Sequence, residues 1–179
     1  DVVRHVTRYG GGEVGRRRAR AAAMLLLALP GGAYVYQGEE LGLEEVLDLP
    51  DELRQDPTDV SAAGTDRGRD GCRVPIPWSG DAPPFGFSAS AAPWLPQPAS
   101  WAALTVERET DDPGSMRSLY RRALRLRHDE AALGDGALRW VEPAAPGLDH
   151  VLAFARPPDL LCVVNTGADP VPLADVVTT

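Results

Sequence analysis

A chain of 179 residues, 44% hydrophobic and 25% charged, carries enough apolar side chain to bury a core, which excludes global disorder. Its formal net charge of -8 argues against a nucleic-acid surface and against attachment to anionic membranes. Cys72 and Cys162 stand far apart and outside any CxxC or metal spacing, so they read as a reduced pair in a cytoplasmic protein. Residues 1–12 read as a polar loop closing on "YGGG". From Glu13 to Leu29 the pattern predicts one helix, acidic at its start, then basic through "RRRAR" (Arg16 to Arg20), then apolar until Pro30-Gly31-Gly32 stops it. The basic run reads as a solvated face rather than a phosphate site. The apolar run "AAAMLLLALP" is too short to cross a bilayer and reads as buried helix.

Residues 33–36 predict a short strand covered on both faces, as in parallel sheets. Helix, Gly turn and buried strand together form the repeating unit of an α/β fold. The stretch "YVYQGEELGL" then places Glu39 and Glu40 directly after that strand. They either cap a short solvated turn or stand at the rim of a site.

From Gly42 to Gly114 no periodicity is sustained, and the segment is rich in Pro, Asp and aromatics. Three of the four tryptophans (Trp78, Trp94, Trp101) fall in it, so it reads as an ordered excursion rather than a disordered linker. Ser115 to Leu133 predicts a helix with Met116, Leu119, Tyr120, Ala123, Leu124 and Leu126 or Arg127 near one face and arginines on the other. Beyond Gly134, "ALRWVE", "HVLAFAR" and "LLCVVNTG" are short strands divided by turn residues, as in an antiparallel sheet. The change of character near 134–137 predicts two domains, 1–134 and 135–179.

The order of these pieces resembles the α-amylase superfamily (glycoside hydrolase family 13). "DVVRHVTRYG" looks like the continuation of its Asn-His-Asp motif, with Asp1 as the aspartate, although the Asn and His themselves do not precede it here. "YVYQGEELGL" resembles the eighth barrel strand and the loop after it. "RDGCRVPIPW" resembles the Arg-x-Pro-x-x-Trp segment of the α-glucosidase branch, and "YRRALRLRHDEAALGDGALRW" that branch's last barrel helix and the start of its C-terminal β domain. The resemblance implies the last β/α units of a (β/α)8 TIM barrel, followed by an incomplete C-terminal antiparallel β-sandwich.

Reactive groups of such barrels project from the C-terminal ends of strands. The resemblance therefore places Asp1 just past strand seven, and Gln37, Glu39 and Glu40 just past strand eight. It makes Asp1 the third catalytic carboxylate, hydrogen-bonded to hydroxyls of the sugar beside the cleaved bond, with nucleophile and acid/base on earlier strands. Arg73 is implied at the non-reducing end of the substrate. The alternative for Arg73 is a structural ion pair with Asp70 or Asp66. Arg4, Gln37 and Glu39 complete the implied substrate-binding set, Arg4 also as a salt-bridge support of the Asp1 loop. His5, His128 and His150 show no ligand spacing, and no cofactor or metal is expected.

The expected function is that of the C-terminal part of a retaining, exo-acting α-glucosidase, itself without nucleophile or acid/base. Its partner is an oligosaccharide substrate, with no nucleic acid and no membrane. An oligo-1,6-glucosidase, a trehalose-forming isomerase or a transglycosylase would share these motifs. A non-catalytic carbohydrate-binding or interaction module is the alternative of another class.

Overall fold

Helices form where the sequence pattern is strongest. The computed structural model describes residues 3–57, 68–89, 93–134 and 136–177. Its helices are α1 (His5–Arg8), α2 (Gly12–Ala28), α3 (Val106–Asp111), α4 (Met116–Asp129) and α5 (Leu173–Val176), and its strands are β1 (Arg139–Trp140), β2 (Val151–Arg156) and β3 (Leu160–Asn165). The chain packs as two compact units, the first formed by 1–20 with 34–121, the second by 21–33 with 122–179. This division is one of packing. The change from helix to strand still falls where the sequence shifts, with a 3-10 turn at Ala131–Leu133 followed by β1.

In the first unit, α2 begins where Glu44 Oε1 accepts from the Gly12 N–H at 2.9 Å, filling one of the donors that a helix start leaves open. α4 begins in the same way on Ser115, whose Oγ accepts from the Ser118 N–H at 3.0 Å. The long excursion is ordered around an apolar cluster in which Leu41, Leu43, Val74, Phe85, Leu95 and Trp101 are buried. Of the excursion's tryptophans only Trp101 lies in that core, whereas Trp78 and Trp94 are half exposed. No helix or strand pattern announces this core, because its backbone groups are met one by one. Gln97 Nε2 donates to Pro75 O at 3.0 Å, and the N–H groups of Val106 and Glu107 donate to Pro77 O and Trp78 O.

Residues 33–36 depart from the expected buried strand. Among the described residues they are not part of a sheet, and Tyr34 is 90% exposed. A parallel strand draws its hydrogen bonds from other strands far away in sequence, and the described strands form a sheet of β1, β2 and β3 without this segment. The α4 face is also covered only in part. Met116 and Tyr120 are buried, while Leu124 and Leu126 are about half exposed.

In the second unit the strands form one antiparallel sheet in the order β1-β2-β3, with Phe154 opposite both Trp140 and Cys162. Val151 and Ala153 pack on one face with Val176 of α5, and Phe154 and Arg156 are buried on the other. The described residues thus show a single three-stranded antiparallel sheet closed by a short helix, where the sequence suggested an incomplete antiparallel β-sandwich. Arg156 donates to Ala28 O at 2.7 Å and Gly134 O at 2.5 Å, and Arg127 to Leu29 O at 2.7 Å and also to Leu27 O. These two guanidiniums satisfy carbonyls left open at the C-terminal end of α2, where a cation also suits the helix dipole. Among the described residues no helix is long and apolar enough to cross a membrane.

One buried carboxyl makes stability depend on pH. Glu109 is 5% exposed, and its Oε2 accepts from the Arg117 N–H at 2.9 Å. Burial pushes its pKa up to about 7, against the lowering effects of that hydrogen bond and of the Arg16 and Arg117 charges. The folded protein therefore holds this proton more tightly than the unfolded chain. The associated stability is full below about pH 4.5 and is lost as pH rises to about 7, by at most about 3 kcal/mol. Glu109→Gln in the complete protein should remove that slope and melt at or above the parent above pH 7. Parallel melting profiles from pH 4.5 to 8 would show that burial does not control this group.

Candidate active-site rim

Three short segments converge in the first unit: α1, the turn after residues 33–36, and the 3-10 turn Asp70–Arg73. Arg4 joins them. It is fully buried, its Nε donates to Gln37 O at 3.2 Å, Nη1 to Glu44 O at 3.1 Å and Gly71 O at 3.3 Å, and Nη2 to Cys72 O at 2.9 Å. Its guanidinium carbon also lies 5.5 Å from the Trp101 ring centroid. Burial lowers its pKa against the opposing charge of Glu45. Only arginine offers several donors in a planar fork that can bind separate carbonyls at once.

Two glycines make this close approach possible. A Cβ on Gly38, which has φ 88°, would stand 2.8 Å from Leu43 Cδ1 and 3.0 Å from Arg4 Nε. One on Gly71 would fall 2.4 Å from Val46 O.

Glu39 and Glu40 both fold back on their own turn. Glu39 Oε2 accepts from the Tyr36 N–H at 3.2 Å, and Glu40 Oε2 accepts from the Gly38 N–H at 2.8 Å. Glu39 Oε1 also lies 3.7 Å from His5 Nδ1. Burial lowers the His5 pKa, opposed by the Glu39 charge. Gln37 is exposed, and its Nε2 donates to Cys72 O at 3.2 Å, linking the turn to the Arg73 segment.

Arg73 is one-third exposed. Its Nη1 stands 3.3 Å from Asp56 Oδ2 and 3.5 Å from Asp70 Oδ1. Asp70 is itself fixed, accepting from the N–H groups of Gln55 and Asp56 at 2.7 and 2.9 Å. The ion pair with Asp70 is thus present, and its rival Asp66 lies outside the described residues, as does Asp1. Four of the five expected site residues, Arg4, Gln37, Glu39 and Arg73, come together. Arg4 and Glu39 are engaged by the protein itself, whereas Gln37 and Arg73 reach the surface.

Sequence reasoning passed over Asp56, Tyr36 and Cys72. Asp56 is buried and also binds the Arg69 side chain at 2.7 Å. The Tyr36 hydroxyl donates to Cys72 Sγ at 3.3 Å, and burial and that thiol push its pKa up to about 12. A lone Asp in a Pro-rich loop gives no signal of such a role. Only its distance in space from Arg73 does. Among the described residues no three His, Cys, Asp or Glu side chains are placed to hold a metal. Both cysteines are free thiols.

Residues 1–136 match the α-amylase catalytic domain. The chain is 42% identical over 143 residues to a probable α-glucosidase of Rhizobium meliloti (strain 1021), covering 79% of this chain and 25% of that protein. It is 30% identical over 183 residues to a probable oligo-1,6-glucosidase of Bacillus subtilis (strain 168), covering 92% of this chain and 32% of that protein. Among solved structures, the α-glucosyl transfer enzyme XgtA superposes with a TM-score of 0.81 at 41% identity, over 96% of this chain and 31% of that one. The chain thus spans about a quarter to a third of the length of these relatives.

Proposed function

This chain belongs to the α-amylase catalytic-domain family, and we propose that it is the C-terminal part of a retaining exo-acting α-glucosidase. The substrate is a short oligosaccharide with a terminal α-linked glucose. Residues 1–134 are assigned to the last units of the barrel and 135–179 to the β domain. The observation that carries this reading is the meeting of the turn after residues 33–36 with the Arg73 turn through Arg4. It holds side by side the two segments that this reading sets around a sugar.

Retaining glycosidases place a nucleophile and an acid/base about 5–5.5 Å apart around an oxocarbenium-like transition state. Neither is assigned to this chain. Asp1 is the third carboxylate. Gln37 and Arg73 present polar groups to the substrate, the guanidinium by a fork suited to vicinal hydroxyls. Asp56 and Asp70 aim that fork, while Arg4 and Glu39 are positioning residues. Glucosyl transfer is the second reading, favoured by the likeness to XgtA.

The test is the complete protein on p-nitrophenyl α-glucoside, with the anomer of the first product followed by NMR. Retention of configuration, with no turnover by residues 1–179 alone, is expected. Inversion, or turnover by this chain alone, would overturn the assignment. Predominant transfer at high maltose concentration would favour the second reading. In the same assay Arg73→Ala should lower kcat/KM by about 10- to 100-fold, the worth of a charge-assisted hydrogen bond or two. Arg73→Lys should not restore it. Unchanged kinetics with a lower melting temperature would leave Arg73 only its ion pair.

A further inference from the structure

The run "RRRAR" folds onto a cleft. Arg16, Arg17 and Arg20 of α2 face Arg108 of α3 and the start of α4 across a cavity of about 520 Å3, within the first unit. That volume lies in the range of small-molecule sites. The chain carries a net charge of -8, yet four of its 18 cations, all of them arginine, line this one cleft. Three carboxylates, Glu13, Glu109 and Asp112, line it as well. Glu109 accepts from the Arg117 N–H and Asp112 Oδ1 from the Gly114 N–H at 2.7 Å, and the four guanidiniums still outnumber the three carboxylates.

The arginines keep donors to offer. Arg20 spends Nη1 on Gly114 O and Ser115 O, at 3.1 and 3.2 Å, so its remaining nitrogens can still donate. Arg108 pairs with Asp81 at 2.5 Å, but both side chains are more than half exposed, and such a pair contributes little. Four arginines lining one polar cavity suit a compact multivalent oxyanion, which can accept bidentate bonds from more than one guanidinium.

We propose that the cleft between α2 and residues 103–116 binds a phosphoryl group, carried by a sugar-sized phosphate ester. The site lies among residues with no role at the proposed sugar rim, so it stands or falls separately from the glucosidase reading. The shared chemistry is the phosphoryl dianion, and a free phosphate ion could also supply it.

The complete protein is titrated calorimetrically with inorganic phosphate and, separately, with glucose 6-phosphate at constant ionic strength. Binding on the order of 1 mM or tighter is expected. Tighter binding of the ester identifies the ester as the natural source, and equal binding identifies free phosphate. Arg17→Gln combined with Arg108→Gln, both exposed side chains, should weaken binding at least tenfold. Melting in phosphate-free buffer and hydrolysis of p-nitrophenyl α-glucoside should stay unchanged. No binding of either probe up to about 10 mM, or binding that the double substitution leaves untouched, overturns the proposal.

Discussion

Asp1→Asn in the complete enzyme is expected to lower kcat by roughly a hundred- to several-thousand-fold while KM moves little. Asp1 lies outside the described residues, so this expectation rests on its motif and on its place just ahead of Arg4 and α1. A carboxylate hydrogen-bonded to sugar hydroxyls gains most when the ring flattens and becomes cationic. An interaction stronger in the transition state than in the ground state appears in kcat. Asn keeps shape and an acceptor but removes the charge, and loss of a preorganised electrostatic group is worth about 3–5 kcal/mol. The melting temperature should not change. A variant that keeps more than about a tenth of the parent kcat would remove Asp1 from the third-carboxylate role and displace the whole barrel assignment.

Arg4→Ala should instead unfold the rim. The substitution leaves the carbonyls of Gln37 and Glu44 without the donor that Arg4 supplies. Those of Gly71 and Cys72 keep a second donor, from the Val46 N–H and from Gln37 Nε2 respectively. Two part-buried acceptors left without that donor, at about 1 kcal/mol or somewhat more each, with the lost cation–π contact on Trp101, come to roughly 2–4 kcal/mol. Arg4→Met keeps an apolar side chain of similar reach but loses both the donors and the cation–π contact with Trp101, so it should recover only a small part of the loss. Arg4→Lys offers one compact charge to scattered carbonyls and should recover little. Thermal melting of the complete enzyme is the readout. If Arg4→Ala melts with the parent, the carbonyls find water instead and Arg4 is not the tie between the segments.

The Arg4 case also marks where sequence reasoning stops. The sequence predicted a support role through a salt bridge, because Arg usually pairs with a carboxylate. The geometry gives carbonyl partners from residues 37, 44, 71 and 72, which are distant in the chain. Carbonyls are present at every position and leave no mark in the sequence. A side chain that reads them can be recognised only when the chain has folded around it.

The family, the two long helices and the antiparallel tail are legible from the residues alone. Each of these rests on local information: a motif, a 3.6-residue period, or alternation between turn residues. The sequence also brought Arg4, Gln37, Glu39 and Arg73 into one list. Which of them face inward shows only in the fold, which also adds Asp56 as a partner of Arg73 beside the Asp70 that the sequence had offered. The fold alone showed that three arginines of "RRRAR", a face still open to solvent, also line a cleft, because the opposite wall comes from residues some ninety positions away, as in Arg20 with Ser115. And it withheld the strand at 33–36. The apolar run is visible in the sequence, but a parallel strand exists only beside its neighbours, whose hydrogen bonds are non-local. Local preference sets what a segment can become, and the long-range partners decide whether it does.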